Sequence, residues 1–152
     1  MKIKYVLQII FFLSFIELIG CAKSPSDKEI LKAVYDRNYS PKSSYLGVVL
    51  DMKVVNKKSS VNNGNKTAFP VTVNTEHVRL GLSYGYTGLG PGQYDKCYEE
   101  NETIEYLLVK NEWDEWSVES SRFVDKKPTI ETWKKSGLKI EDFYKDKIKI
   151  KF

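Results

Sequence analysis

The sequence predicts an α+β domain in which one N-terminal helix packs on an antiparallel sheet of about four strands. A capped helical segment comes first, and four later stretches rich in β-forming residues are separated by polar turns. Hydrophobic residues make up 41% of the 152 residues and charged residues 29%, which indicates a folded domain and not a disordered chain.

The predicted helix begins at Ser26. This serine stands three residues before Glu29, the spacing of a capping box in which the two side chains satisfy each other's backbone amides. The helix should end before Pro41, because the residue preceding a proline resists the α conformation. Apolar residues between these limits share one helical face: Ile30, Leu31, Val34 and Tyr35.

The predicted strands cover residues 45–55, 68–80, 103–110 and 116–123. The last two should form an antiparallel hairpin, because only residues 111–115 separate them. The C-terminal tail is less distinctive. Residues 129–135 suggest a helical turn that ends at Gly137, and residues 146–152 suggest a half-buried strand or a frayed amphipathic end.

The first 20 residues have the pattern of a secretory signal peptide. Lys2 and Lys4 form a basic head, and an apolar run over residues 5–16 follows. This run is shorter than the roughly 20 apolar residues that span a bilayer. It ends in the sequence Leu18-Ile19-Gly20-Cys21, which resembles the bacterial lipobox. There are two alternatives to a lipoprotein signal: an uncleaved membrane anchor, and a simple secretion signal that is followed by a cysteine by coincidence.

The lipobox resemblance implies a lipoprotein whose mature chain begins at Cys21, with palmitate and other acyl chains on that residue as its membrane anchor. Ala22, where an aspartate would favour retention at the inner membrane of enterobacteria, implies the outer membrane, with the domain facing the periplasm. The chain then divides into a signal peptide (1–20), the lipidated cysteine and its tether (21–25), an α+β domain (26–124) and a C-terminal extension (125–152).

If Cys21 carries lipid, Cys97 has no second cysteine in the chain for a disulfide. Cys97 is then a buried small apolar residue, a free thiol or half of an intermolecular bridge, and the first is favoured because unpaired cysteines are commonly buried. The single histidine, His77, lies in a predicted strand, where a structural or surface role is expected. A Cys97–His77 catalytic dyad is the alternative.

Neither a catalytic set nor a metal or cofactor site is expected. A Ser-His-Asp triad would have to use His77 without a GxSxG motif. One histidine and one spare cysteine offer no paired metal-ligand spacing. The carboxylates near residue 100 are expected in a solvated turn: Asp95, Glu99, Glu100 and Glu102. The net charge of +4 is spread along the chain, so nucleic acid is not an expected partner.

The segment 81–94 is rich in glycine and holds three tyrosines, Tyr84, Tyr86 and Tyr94. It lacks the Gly-Lys-Ser/Thr ending of a phosphate-binding loop. A flexible connection between strands is the simpler interpretation. A binding loop is the other, because tyrosine rings supply contact area on an adaptable backbone.

The hairpin segments Glu105-Tyr106-Leu107-Leu108-Val109-Lys110 and Trp116-Ser117-Val118-Glu119-Ser120, after a capped helix, resemble small bacterial lipoproteins of the cystatin-like or NTF2-like type. The resemblance covers about residues 26–124. It implies a curved sheet that wraps the helix, with a cleft between them for a small ligand or a partner. It implies no chemistry, because the fold hosts many functions.

Three functions follow as hypotheses. The first is a non-enzymatic, lipid-anchored domain that binds a protein or a cell-envelope component. The second is an immunity or inhibitor lipoprotein directed against a toxin or a cell-wall hydrolase. The third is a small-ligand or enzymatic NTF2-like domain, which requires a deep cleft with convergent polar groups.

Overall fold

The computed structural model describes residues 23–43, 47–81, 94–135 and 138–150. Within these ranges no helix is long and apolar enough to cross a bilayer. The predictions about the signal peptide, Cys21, Tyr84 and Tyr86 lie outside the described residues, as does the side chain of Tyr94. The predicted α+β class, with one N-terminal helix and an antiparallel sheet, is confirmed.

Helix α1 (Asp27–Asn38) begins at the predicted capping box. The Glu29 amide donates to Ser26 Oγ at 3.3 Å, and the Ser26 amide donates to Glu29 Oε2 at 2.8 Å. These bonds satisfy backbone amides that lack partners within the helix. The helix ends before Pro41, as predicted, and it buries Ile30, Ala33 and Val34.

The sheet has six strands where the sequence predicts about four. They are β1 (Gly47–Lys57), β2 (Val61–Asn63), β3 (Lys66–Gly81), β4 (Tyr94–Lys110), β5 (Trp116–Lys126) and β6 (Ile130–Lys135). β1 and β2 pair with successive parts of β3, and β5 and β6 pair with successive parts of β4. The larger number arises because each outer line of the sheet is broken, at residues 58–60 and at residues 127–129.

The β4–β5 hairpin confirms the predicted antiparallel pair. Its turn is organised by Asn111, whose Oδ1 accepts hydrogen bonds from the amides of Trp113 and Glu115, both at 2.9 Å. Asp114 adopts φ 60°, a left-handed conformation that aspartate tolerates better than most residues. The turn therefore has a local cause in its Asn and Asp residues.

The C-terminal segment differs from its prediction. Residues 130–135 form β6 instead of a helical turn, because Thr132 faces the interior while Glu131 and Trp133 face the other side, a period of two. The short helix α2 (Ile140–Tyr144) and a 3₁₀ turn (Lys145–Lys147) follow. Residues 148–150 form no strand, although the amides of Lys149 and Ile150 donate to the Leu50 carbonyl.

Two apolar clusters lie on opposite faces of the sheet. The first fills the space beneath α1 and includes these buried residues: Ile30, Val34, Val49, Met52, Val71, Val73, Tyr106, Leu108 and Val118. The second lies beneath α2 and joins Leu50, Val78, Cys97, Ile140 and Tyr144. The C-terminal segment thus covers a face of the sheet that α1 cannot reach.

We predict that Ser26→Ala lowers the free energy of unfolding by about 1 kcal/mol, the usual value of an N-cap. Hydrogen bonds from Ser26 lower the pKa of Glu29, so their contribution is present above the unfolded-state pKa of glutamate and is lost as the pH falls through the folded-state pKa. Urea unfolding should therefore show a larger deficit at neutral pH than in acid. Ser24→Ala, at an exposed position before the cap, is the control. An equal effect of both substitutions would contradict the capping role.

Candidate functional site

The most unusual group of side chains is a buried charge cluster on the α1 side of the two central strands. In β3 the residues that face α1 change from Val71 and Val73 to Thr75 and His77. The register sets Glu102 opposite Thr75 and Glu100 opposite His77. Because alternate residues of a strand share a face, all four of these polar side chains project to the same side of the sheet.

His77, Glu100 and Glu102 converge at their ends. The His77 Nε2 atom lies 3.8 Å from Glu100 Oε2 and 3.5 Å from Glu102 Oε2. The side chains are only 5%, 6% and 14% exposed, respectively, so the group is largely removed from water. One donor atom from each residue lies within 4.8 Å of the other two, a spacing that permits a shared cation.

Two basic side chains balance the carboxylates. The Lys126 ammonium, from the edge strand β5, donates to Glu100 Oε1 at 2.9 Å and to Glu102 Oε1 at 2.8 Å. An Arg79 guanidinium nitrogen lies 3.5 Å from Glu100 Oε1. Each carboxylate therefore directs Oε1 to Lys126 and Oε2 to His77. A buried charge needs this kind of compensation, because its desolvation costs several kcal/mol.

Burial and the neighbouring charges have opposite effects on the pKa values of Glu100 and His77. Burial alone would raise the pKa of Glu100, but the hydrogen bond and charge of Lys126, with Arg79 and His77, outweigh burial and lower that pKa. Burial lowers the pKa of His77, and the charges of Glu102 and Glu100 oppose it without reversing the direction. The imidazole is therefore held toward its neutral form and the Glu100 carboxyl toward its ionised form.

The chain just after α1 covers the cluster. The ring of Tyr39 packs against the imidazole of His77, with 5.4 Å between ring centroids. Burial raises the pKa of Tyr39 to about 12, so its hydroxyl stays protonated at neutral pH. Deeper beneath the helix, Asn38 Nδ2 donates to the hydroxyl of Tyr106 at 3.2 Å. The cluster thus lies at the border between the apolar core and the part of the sheet beyond α1.

One sequence expectation fails here. Glu99, Glu100 and Glu102 are not in a solvated turn: β4 begins at Tyr94, and Glu100 is buried. The residues were misplaced because acidic residues are weak strand formers, and pairing with the long β3 overrides that preference. The Cys97–His77 dyad, which was only the alternative, does not form, since Cys97 is buried with Val78 and Tyr144 on the opposite face of the sheet, as the favoured interpretation of this cysteine predicts.

His77 lies in a strand, as predicted, and it is buried. The sequence did not predict that the His77 side chain lies next to Glu100 and Glu102, because these glutamates come more than 20 residues later in the chain. The available signal was the polar Thr75 and His77 on the same strand face as Val71 and Val73, where an apolar side chain would be expected.

A second feature is a set of half-buried and exposed side chains on the same side of the sheet, which we call the distal face: Arg79, Lys96, Tyr98, Phe123 and Trp133. Phe123 pairs with Ile104 and Trp133 pairs with Lys96, so the charge cluster lies between these two rings. Phe123 and Trp133 are 55% and 45% exposed. The Arg79 guanidinium lies 5.0 Å from the Tyr98 ring centroid, and the Lys96 ammonium lies 5.1 Å from that of Trp133. These cation–π contacts hold large rings at the surface.

A concave feature elsewhere on the described residues is a groove of about 520 Å³ between α1 and the turn of the β4–β5 hairpin, including the first residues of β5. Charged side chains line much of it, including Lys32, Asp36, Arg37 and Glu115. The space between the helix and the sheet is filled by the first apolar cluster, so this groove lies outside the core.

The chain matches no protein-family model, no curated protein and no solved structure. Its function is therefore inferred from the geometry of the charge cluster and of the distal face.

We predict that Lys126→Met lowers the free energy of unfolding by about 1.5–3 kcal/mol, the range for hydrogen bonds that involve charged groups. The loss arises because Glu100 stays buried with less compensating charge. Lys127→Met is the control, since Lys127 is exposed and only its backbone amide, bound to the Asn101 carbonyl, is fixed. Chemical denaturation of both variants measures the difference. Equal stabilities would show that Lys126 does not compensate the buried carboxylates.

Proposed function

We propose that this chain is a lipid-anchored envelope protein whose non-enzymatic domain binds a protein partner through the distal face. Cys21, in its lipobox-like context, supplies the anchor in this proposal and holds the domain on the periplasmic side of the outer membrane. The contact is made by the outer line of the sheet that β5 and β6 form.

One observation carries the proposal: every residue from 119 to 131 is exposed, although 119–126 and 130–131 lie in strands. A strand in a sheet normally buries at least one face, and an edge strand also presents unpaired backbone groups. Large apolar side chains are concentrated along this line: Phe123, Val124, Ile130 and Trp133. Exposed aromatic side chains on a sheet edge are typical of surfaces that bind another chain.

The composition of this line also opposes uncontrolled association. Pro128 interrupts it, and Lys126 and Lys127 flank the break, which are devices that prevent edge-to-edge aggregation. An edge that is apolar but also carries a proline and charged side chains favours a specific partner over self-assembly. The partner we propose is a protein, because exposed rings beside basic side chains suit a surface with apolar groups and with acidic groups that compete for Lys96, which contacts Glu131 Oε1 at 2.8 Å in the free chain.

The interior supports a surface contact over an internal ligand site. Apolar side chains from α1 and the sheet fill the position where a cleft would lie in an NTF2-like domain. The groove beside α1 is open to solvent and lined by charges of both signs. Neither feature offers the enclosed apolar pocket that small-molecule sites require.

The surface contact predicts position-specific cross-linking in the bacterium that encodes the protein. A photoreactive amino acid at position 123 or 133 should capture one discrete partner. The same residue at Trp113 should not, because Trp113 is 75% exposed but lies in the hairpin turn, outside the distal face. Trp133→Ala should reduce capture from position 123 by about tenfold or more, as expected of an aromatic anchor. Equal capture from positions 113 and 133 would refute the distal face as the contact surface.

The anchor has its own test. Metabolic labelling with a palmitate analogue should mark the wild type and Cys97→Ala but not Cys21→Ala, because Cys97 is fully buried and Cys21 follows the lipobox-like sequence. Cys21→Ala should also leave the membrane fraction. Unchanged labelling of Cys21→Ala would show that the anchor lies elsewhere.

A further inference from the structure

We propose that His77, Glu100 and Glu102 form a binding site for a divalent transition-metal ion of the zinc class. The ligands would be His77 Nε2 and the Oε2 atom of each glutamate, with water in the fourth position. This site is independent of the proposed partner contact, and it is tested without a partner.

The donor set suits zinc. Zinc binds imidazole nitrogen and carboxylate oxygen in a tetrahedral arrangement, and a site with three protein ligands keeps one position for water. Calcium and magnesium prefer oxygen ligands alone, so an imidazole at the centre of the group argues against them. Burial of His77 and Glu100 excludes the competing solvation that weakens most exposed acidic groups as metal ligands.

The distances support the same ion. Bonds of about 2.0–2.1 Å in a tetrahedral site place neighbouring donor atoms about 3.3–3.4 Å apart. The two distances from His77 Nε2, 3.5 Å and 3.8 Å, are close to that spacing. All three donor atoms lie within 4.8 Å of one another, so the three atoms must move closer together when an ion binds.

The backbone holds the ligands ready. His77 and Glu100 face each other across β3 and β4, and Glu102 follows two residues later on the same face. Both strands are flanked by other strands, and their mutual pairing has no register shift. Ligands on rigid central strands need little reorganisation on binding, which favours affinity.

Lys126 does not occupy the proposed coordination atoms. Its ammonium contacts the Oε1 atoms of both glutamates, whereas the metal would take the Oε2 atoms. A hydrogen bond to the outer oxygen of a ligating carboxylate fixes its orientation, a common second layer around metal ligands. The positive charge of Lys126 nevertheless repels a cation, so Lys126 should lower the affinity of the site while it orients the ligands.

The single histidine makes the test direct. The full chain, without a histidine tag and in detergent, is labelled with ¹⁵N and titrated with Zn²⁺. Binding at the proposed site should shift the Nε2 resonance of His77 to saturation with one equivalent per chain. Glu100→Gln and Glu102→Gln should each weaken this response by about tenfold or more. Glu105→Gln should not, because Glu105 is in the same strand but pairs with Lys58 and Arg122 on the opposite face.

A second variant tests the direction of the charge effect. Lys126→Met should bind Zn²⁺ at least about tenfold more tightly, because one positive charge near the site is removed. Co²⁺ in place of Zn²⁺ should give the visible spectrum of a tetrahedral site in the wild type. The proposal is overturned if millimolar Zn²⁺ leaves the His77 resonance unshifted, if Glu102→Gln binds like Glu105→Gln, or if Lys126→Met binds no more tightly than the wild type.

Discussion

The uninterrupted pairing of β3 with β4 is the constraint on which the rest of the structure depends. Fourteen consecutive residues pair, from Ala68 with Val109 to Gly81 with Lys96, without a register shift. β4 has 17 residues, which corresponds to about 55 Å at the rise of a strand. Helix α1 has 12 residues and is about 18 Å long. One such helix can cover only about a third of the length of the central strands.

The two apolar clusters follow from this mismatch. α1 covers one end of the sheet on one face, where Val71, Val73 and Tyr106 are buried. The C-terminal segment returns to the other face near the opposite end, where Tyr144 packs with Cys97 and Thr132 bonds to the Tyr144 hydroxyl at 2.9 Å. Each cover is local, so among the described residues neither α1 nor the C-terminal segment covers the α1 side of the sheet beyond Tyr39. Arg79, Tyr98, Lys96 and Trp133 of the distal face lie there, whereas Phe123 lies beside Ile104, closer to α1.

The sequence predicted those elements that depend on residues close together in the chain. The capping box at Ser26 and the turn at Asn111 depend on residues a few positions apart, and both form as expected. The first half of β4 forms because it pairs with β3 on one side and with β6 on the other. These contacts join residues far apart in the sequence, so the pattern within each segment did not predict that the segment is a strand. The charge cluster was hidden for the same reason: only the register brings Glu100 to His77.

The position of the charge cluster has a physical explanation in the length of α1. Under the helix, apolar side chains exclude water and charges would be costly. On the distal face, charges would stay solvated. At the border Tyr39 still covers His77, while Lys126 reaches in from solvent with its side chain 34% exposed. Carboxylates there are buried enough to need the positive charges of Lys126 and Arg79, which contact their Oε1 atoms. Replacing such a group by apolar residues is often neutral or stabilising in other proteins, so stability alone does not account for it. The proposed metal site would account for it, because coordination of an ion makes use of carboxylates that are buried and ordered.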